Sequence, residues 1–579
     1  MNNDSAHPAP LSPTPLDVLR ENWGYDSFRG IQEEIITSIM AGHDTLGLMP
    51  TGGGKSITFQ VPALCREGLC LVITPLIALM RDQVQNLRNR NILASAVYSG
   101  MSAADIERVY DNCIFGKTKF LYISPERLDS EMFQEKLKRM NVSLITVDEA
   151  HCISQWGYDF RPAYLRVKEV RKRCPGVPVL ALTATATPEV VDDICRQLEF
   201  REGSQVFRMS FERKNLHYVV RQSEDKFGQL LHILQRVPGS AIVYTRSREG
   251  TVEMAHQLVE SGVKALFFHA GLPLADKALR QQRWQTGETR VMVATNAFGM
   301  GIDKPDVRLV IHLDLPDSVE AYFQEAGRAG RDGQDAWAVL LYAKADIKKM
   351  ERHIAEEFPP KDFCCQIYEE LAYYFQLPLG EGAGQDHEFN INNFCRCFRH
   401  YPVGVESALQ LLTRAGYITY RDSDDNKSRI MFILRRDELY YLRHLSPAHD
   451  RLINALLRRY TGLFAEYAYI EEETLAADAQ LSQQEVYDLL MDLTRQRIVN
   501  FVPRKNVPHI LYEQRRLETR HIQFPKNVYE ERKEVFIRHI KGITTYATEQ
   551  DVCRSQYLLS YFGEKDSPRC GHCDVCCQL

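Results

Sequence analysis

Short runs of consecutive apolar residues alternate with longer amphipathic stretches from about Leu16 to Phe207. The runs are DTLGLM (44–49), LCLVITP (69–75), KFLYISP (119–125), SLITVDE (143–149) and VLALTAT (179–185), each followed by ten or more residues of helical character. Strands that are apolar on both faces and separated by helices predict βαβ units around a buried parallel sheet. The pattern returns between about Met209 and Asp346 with SAIVYTR (240–246), KALFFHA (264–270), TRVMVAT (289–295) and VRLVIHLD (307–314). Two consecutive α/β domains, 14–207 and 208–350, are therefore expected after a Pro/Ser-rich N-terminus (1–13) read as disordered. Beyond residue 350 the long apolar runs stop. Segment 385–440 reads as two helices and a hairpin (YITYRDSDDNKSRIMFIL), and 450–515 repeats the plan with the hairpin IVNFVPRKNVPHILYE. These predict two α+β winged-helix-like modules in tandem, 351–447 and 448–525, before a helical, cysteine-bearing tail at 526–579.

Composition sets bounds on function. A chain of 579 residues predicts about three to five domains. With 44% hydrophobic and 25% charged residues it is ordinary globular material, neither disordered nor fibrous. A net charge of −5 argues against a protein that coats nucleic acid through bulk positive charge, though not against a local basic groove. No basic-then-apolar leader and no apolar run of about 18 residues is visible, and fifteen scattered or clustered cysteines fall well below disulfide-scaffold density. The expected setting is a reducing cytoplasm, nucleoid-associated and bacterial.

The candidate chemistry starts at the end of the first strand with Met49-Pro-Thr-Gly-Gly-Gly-Lys55-Ser56. Glycines at 52–54, with Thr51, let backbone N–H groups curl around phosphate oxygens. Lys55 would reach the terminal phosphates and the Ser56 hydroxyl would ligand Mg²⁺. A strand ending Asp148-Glu149-Ala150-His151 follows about 90 residues later. Asp148 suits Mg²⁺ and Glu149 suits the orientation or deprotonation of an attacking water. Arg328 and Arg331, three residues apart, suit charge stabilisation on a transferring phosphoryl group. Each motif has a plain structural alternative: a glycine turn, a solvated strand end, two surface arginines.

Taken in order, WGYDSFRGIQ (23–32), MPTGGGKS (49–56), TPLIALMRDQ (74–83), ISPERL (123–128), VDEAHCISQWGYDFRPAY (147–164), LALTATAT (180–187), ATNAFGMGIDKPDV (294–307) and QEAGRAGRDG (324–333) resemble a superfamily 2 helicase of the RecQ family. The likeness covers roughly 16–350 and 540–577. It implies two RecA-like domains with ATP between them and 3′→5′ translocation on single-stranded DNA. Met49, where a phosphate loop usually opens with glycine, is ordinary for that superfamily. The resemblance further implies that Tyr25 stacks on adenine while Arg29 and Gln32 read its edge. It has Thr183 and Thr185 relay the nucleotide state, and Asp303 contact the ribose or the partner domain. His151 and the aromatic-rich loop Cys152–Tyr164 would couple DNA to hydrolysis through Trp156, Phe160 and Arg161, supported by Gln155 and Asp159. Aromatic stacking on bases is worth about 1–3 kcal/mol each; a Trp156 packed into a core is the alternative.

Cys553, Cys570, Cys573 and Cys576 stand at C-x16-C-x2-C-x2-C, a set suited to one tetrahedral Zn²⁺, with disulfides or an iron–sulfur cluster as alternatives. Their surroundings resemble the zinc-binding subdomain of RecQ helicases, and Cys577 is expected not to be a ligand. The chain departs from the family in the roughly 185 residues (352–538) inserted before that subdomain. The usual downstream winged helix has no counterpart after Cys576, so strand separation is expected of the insert. Between Arg495 and Lys541 there are 12 Lys+Arg and 5 Asp+Glu, and the hairpin tip with Arg504 and Lys505, flanked by Phe501, is the candidate grip on duplex DNA. The acidic tip Asp422–Ser428 is the poorer candidate. The reading is an ATP-, Mg²⁺- and Zn²⁺-using DNA helicase, monomeric, acting on single-stranded and duplex or branched DNA in recombination, repair or replication. Single-stranded-DNA-binding or repair proteins are possible partners of the insert. An RNA-remodelling helicase and a DNA-tethering protein are the competing readings.

Overall fold

The computed structural model describes residues 13–50, 52–98, 101, 103–299, 302, 304–421, 428–434, 438, 445–460, 463–464, 468–470, 472–503 and 508–578. The N-terminal segment 1–12, Thr51, Asp303, the tip residues 422–427, and Arg504 and Lys505 lie outside them. The chain divides into two compact units, Met1–His353 with Glu534–Leu579, and Ile354–Lys533.

In the first unit, the apolar runs become the strands of two all-parallel sheets. The strands β1 (Thr45–Leu48), β2 (Leu69–Ile73), β3 (Ala94–Val97), β4 (Phe120–Ile123), β5 (Val142–Val147), β6 (Val179–Thr183) and β7 (Gln205–Arg208) form one sheet in the order β3-β4-β2-β5-β6-β1-β7. Every residue of β2 and β6 is buried, as a strand covered by helices on both faces requires. The second sheet contains β8 (Leu216–Gln222), β9 (Ser240–Tyr244), β10 (Ala265–Phe268), β11 (Val291–Ala294), β12 (Val307–His312) and β13 (Ala336–Tyr342), in the order β10-β11-β9-β12-β13-β8. Sequence reading missed β3, β7, β8 and β13. β3 has only small residues, and β7 at the sheet edge is mostly exposed, so neither carries an apolar run.

The tail docks on the second sheet. Asp574 Oδ2 accepts the Val220 backbone N–H of β8 at 3.0 Å, and its carboxylate is clasped by Arg554 Nε at 2.9 Å. Arg554 also donates to the Tyr546 and Glu549 carbonyls, at 2.6 and 2.7 Å, closing the end of the helix Glu530–Thr548.

The second unit corrects the tandem-hairpin expectation. Its strands are β14 (Asp386–Glu388), β15 (Ile418–Arg421), β16 (Ser428–Phe432), β17 (Ala468–Ile470), β18 (Val499–Val502) and β19 (His509–Tyr512). β15 does not pair with β16, nor β18 with β19. β15 pairs antiparallel with β19, in the sheet β14-β19-β15, while β16 lies between β17 and β18. The two modules are therefore nested: the sheet of the outer one is completed only after the chain has built the whole of the inner one. Alternation of period two shows which face of a strand is buried but not which partner it takes, and β16 and β19 alternate alike.

The modules also share a corner that the sequence reading passed over. Thr413 Oγ1 donates to the Leu409 carbonyl and accepts the Tyr420 N–H, at 2.8 and 3.1 Å. Thr494 Oγ1 does the same with Leu490 and Phe501, at 2.8 and 3.2 Å. In both places a threonine in a Leu-Thr-Arg triplet ties the last turn of a helix to the strand that follows.

Candidate ATP and zinc sites

β1, β6 and β5 are neighbours, so the loops after them converge at one sheet edge, where open parallel sheets place their ligand sites. The loop after β1 runs into the helix Lys55–Leu64 through Gly54, whose φ of 76° is left-handed; a Cβ there would collide with the Gln32 amide. Gln32 is buried and ties the loop down: Nε2 donates to the Gly54 carbonyl at 3.0 Å, and Oε1 accepts the Arg29 N–H at 2.9 Å. Beside it the Arg29 guanidinium stands 5.0 Å from the Tyr25 ring centre. Tyr25, Arg29, Gln32, Gly52, Gly53, Gly54 and Ser56 line one cavity of about 480 Å³, with Gln83 and Arg90 on its far wall.

Ser56 is held by a residue that motif reading did not single out. Gln83 Nε2 donates to Ser56 Oγ at 3.1 Å, and Gln60 Nε2 donates to Gln83 Oε1 at 2.9 Å. The second amide fixes which end of Gln83 faces the serine. Gln83 lies in TPLIALMRDQ, so its position was visible, but its role depends on the helix Ile77–Arg88 passing the phosphate loop.

Asp148 follows β5. Burial, reinforced by the neighbouring Glu149 charge and opposed by Lys55, pushes its carboxyl up to about 6. A carboxyl this costly to ionise suits a divalent cation. Glu149 adopts φ 49°, ψ 47°, a left-handed conformation that strains a non-glycine residue. Its Oε2 is buried and accepts no hydrogen bond among the described residues. His151 Nδ1 meets Thr183 Oγ1 at 2.9 Å, and burial lowers the pKa of the ring. Thr183 Oγ1 in turn accepts the Thr185 N–H at 3.3 Å, so the ends of β5 and β6 are joined.

The second domain reaches the phosphate loop. Arg331 passes over the phosphate loop: a Cβ on Gly52 would stand 3.6 Å from Arg331 Cγ. Arg331 donates to the Ile302 carbonyl and the buried Arg328 to the Gly299 carbonyl, each cation being steered by main-chain oxygen.

The aromatic loop is half-buried from Gln155 to Phe160, so Trp156 is not a core residue. Its ring lies 5.9 Å from the Arg538 guanidinium of the helix Glu530–Thr548. Asp159 accepts from Arg161 Nε and Nη2 at 3.2 and 3.1 Å. Tyr158, which sequence reading passed over, stacks on His151 with ring centres 4.8 Å apart.

In the tail, the Sγ atoms of Cys553, Cys570, Cys573 and Cys576 all lie within 4.8 Å of one another, with Cys553 3.5 Å from Cys570 and 3.8 Å from Cys573. A disulfide needs about 2.05 Å, whereas four Zn–S bonds of about 2.3 Å require sulfurs about 3.8 Å apart. The set therefore fits a zinc ion closed by four thiolates. Backbone N–H groups of Cys570 and Cys576 donate to Cys553 and Cys573 Sγ, at 3.3 and 3.4 Å. The buried Arg554–Asp574 pair sits one residue from Cys553 and Cys573 and fixes both. Cys577 is exposed and points to the Gly571 carbonyl, away from the cluster.

Comparison with known proteins agrees with this arrangement. Residues 29–194 match the DEAD/DEAH box helicase family, and residues 225–333 the helicase conserved C-terminal domain. Residues 512–577 match the RecQ zinc-binding family. The chain is 41% identical over 344 residues to the probable ATP-dependent DNA helicase RecS of Bacillus subtilis (strain 168), which covers 59% of this chain and 69% of that protein. The chain belongs to the RecQ helicase family.

Its RecQ relatives include the ATP-dependent DNA helicases RecQ of Pasteurella multocida (strain Pm70) and Bacillus subtilis (strain 168). The first is 42% identical over 352 residues, 61% of this chain and 56% of that protein; the second is 43% identical over 343 residues, 59% and 58%. The chain thus spans a little over half the length of these curated RecQ relatives. Among solved structures, the DEAD-box helicase Mss116 bound to ssRNA and UDP-BeF aligns over 60% of this chain and 76% of its own, at TM-score 0.50 and 16% identity, a likeness of fold. The departure from the RecQ pattern also has a counterpart. Residues 430–503 match the RecQ helicase winged-helix domain of Bacteroidota, and these bounds run from within β16 to just past β18, the span of the inner module. No helix among the described residues is long and apolar enough to cross a membrane.

Proposed function

We propose that the chain is an ATP-dependent DNA helicase that moves 3′→5′ on single-stranded DNA and opens duplex or branched DNA in recombination, repair or replication. The observation that carries the reading is the passage of Arg331 over Gly52, because it builds the phosphate site from both RecA-like domains at once. Lys55 and the loop amides hold the phosphates, while Ser56 and Asp148 hold Mg²⁺. Glu149 orients the attacking water, and Arg331 with Arg328 offsets charge on the departing phosphoryl group. Hydrolysis then changes the spacing of the two domains, and strand grip follows that spacing. Tyr25, Arg29 and Gln32 favour adenine. Gln155, Trp156, Asp159, Phe160 and Arg161 report an occupied strand to His151. The four thiolates hold a structural Zn²⁺. The reducing cytoplasm suits fifteen cysteines of which none is in a disulfide.

Strand displacement on 3′-tailed and 5′-tailed duplexes tests the reading. The 3′-tailed duplex should open with ATP and Mg²⁺, the 5′-tailed one should not, and Glu149→Gln should bind ATP without opening either. Displacement of RNA duplexes with RNA-stimulated ATPase would move the assignment to an RNA-remodelling enzyme. Full biological function in Glu149→Gln would move it to a tether.

A further inference from the structure

The two nested modules carry opposite charge in their equivalent helix pairs. In the outer one, the helices Ile391–Phe398 and Pro402–Arg414 and the turn between them hold three arginines and one glutamate; the equivalent Glu472–Arg495 of the inner module holds one arginine and six carboxylates. The turns correspond closely. Each carries a left-handed non-glycine residue, Arg399 at φ 61° and Gln480 at φ 54°, followed two residues later by the cap of the next helix. The inner cap is Ser482, locked in a reciprocal pair with Glu485. The outer cap is Tyr401, whose side chain accepts no hydrogen bond from its helix and which is 87% exposed, beside Val403 at 55%.

Tyr401 therefore contributes little to the fold, yet the turn that displays it is firmly fixed. His400 Nε2 meets Glu370 Oε2 at 2.7 Å and its ring packs edge-on against Phe363 at 5.3 Å. Arg396 and Arg399 are exposed and have no ion-pair partner among the described residues. The only carboxylate between Ile391 and Arg414 is Glu406, more than a turn along the second helix. An exposed aromatic flanked by two unneutralised arginines, at the start of the second helix of a helix–turn–helix, matches a polyanion with stackable or groove-exposed bases. The wing, which a winged helix otherwise offers to DNA, is here occupied by the inner module.

We propose that the outer module binds duplex DNA through Arg396, Arg399 and Tyr401, and that the inner module, acidic along the equivalent helix pair, does not. The proposal rests on the helicase reading only for the identity of the polymer.

The test uses the full chain and measures binding to a blunt 20-base-pair duplex and to single-stranded dT20 by fluorescence anisotropy without ATP (a length of about two helical turns,). Arg396→Ala/Arg399→Ala should weaken duplex binding roughly tenfold and lower the slope of log affinity against log salt by about two, one for each lost phosphate contact. Tyr401→Ala should weaken duplex binding with little change in slope. Single-strand affinity and DNA-stimulated ATPase should stay as they are, and Asp488→Asn on the inner module should change nothing. Unchanged duplex affinity and slope in the double variant would overturn the proposal, as would an equal loss on single strands. If the double variant fails to fold, Arg396→Gln alone reads the same slope, and no change there overturns it too. A wild-type chain that binds duplex through this face but displaces no strand would refute the helicase reading while leaving the surface standing.

Discussion

The Tyr158 hydroxyl donates to Gln324 Oε1 at 2.8 Å, joining the aromatic loop of one RecA-like domain to the arginine-bearing helix region of the other. The same ring stacks on His151, which meets Thr183 and lies 3.5 Å from Glu149. One tyrosine thus links the aromatic loop, the neighbour of Glu149 and the opposite domain. Tyr158→Phe keeps the stack and removes the bridge, a change worth about 0.5–1.5 kcal/mol. DNA-stimulated ATP turnover should fall roughly two- to tenfold while turnover without DNA changes less. Equal losses with and without DNA would show that the bridge serves only the fold.

The nested topology makes an unusual excision possible. Arg421 and His509 are register partners at the ends of β15 and β19, so a short turn can replace residues 422–508. The shortened chain should fold, keep its DNA-stimulated ATPase and lose only the inner module's contribution to the unfolding signal. Had β15–β16 and β18–β19 been hairpins, the same excision would leave two unpaired strands and an insoluble product. Circular dichroism and ATPase assay of the shortened chain decide between the two.

How much of this was legible in the sequence follows from the range of each interaction. Phosphate-loop, Asp148–Glu149 and cysteine signals are local in sequence, and the structure brings their residues together. The Gln83–Ser56 and Tyr158–Gln324 contacts join residues 27 and 166 positions apart, and neither partner's residue type points to the other. The insert misled for a related reason: β16 and β19 present the same alternation, so local pairing was the natural choice and the exchanged pairing had no signature. Arg504 and Lys505, expected at a hairpin tip, lie outside the described residues in the connection from β18 to β19. The exposed Tyr401 was in plain view, but only its accessibility separates it from a core aromatic.

The thiolate cluster predicts a metal-dependent tail. Cys570→Ser should lower bound zinc below stoichiometric amounts by atomic absorption. It should also destabilise the packing of Arg554 and Asp574, and with it the seat on β8. Because structural zinc binding is folding free energy, on the order of 10 kcal/mol in small modules, chelation should unfold the tail at temperatures where the motor domains persist. Cys577→Ser should leave zinc content unchanged. Equal zinc loss in both variants would remove the assignment of the four ligands.

Asp44 anchors the strand that carries the phosphate loop. It is fully buried and accepts the Val179 N–H at the start of β6, the Arg201 N–H at 3.0 and 2.8 Å respectively, and the guanidinium groups of Arg171 and Arg201 at 2.5 and 2.9 Å. Burial alone would raise its pKa, but the bonds from Arg201, Arg171 and Val179 together outweigh burial and hold the carboxyl below its usual value. The sign follows: a depressed folded pKa adds stability that is present above the unfolded value and is lost as pH falls through the folded one. Asp44→Asn should cost about 1.5–3 kcal/mol near neutral pH, since it weakens the charged hydrogen bonds that the half-buried Arg171 and the exposed Arg201 make to a buried carboxylate. Its cost should shrink as pH falls below the ordinary aspartate range, where the wild-type carboxyl becomes protonated. Urea midpoints of both proteins from pH 7 down to pH 3 read this directly. A stability difference that stays constant over that interval would show that packing, and not the charge on Asp44, holds β1 in place.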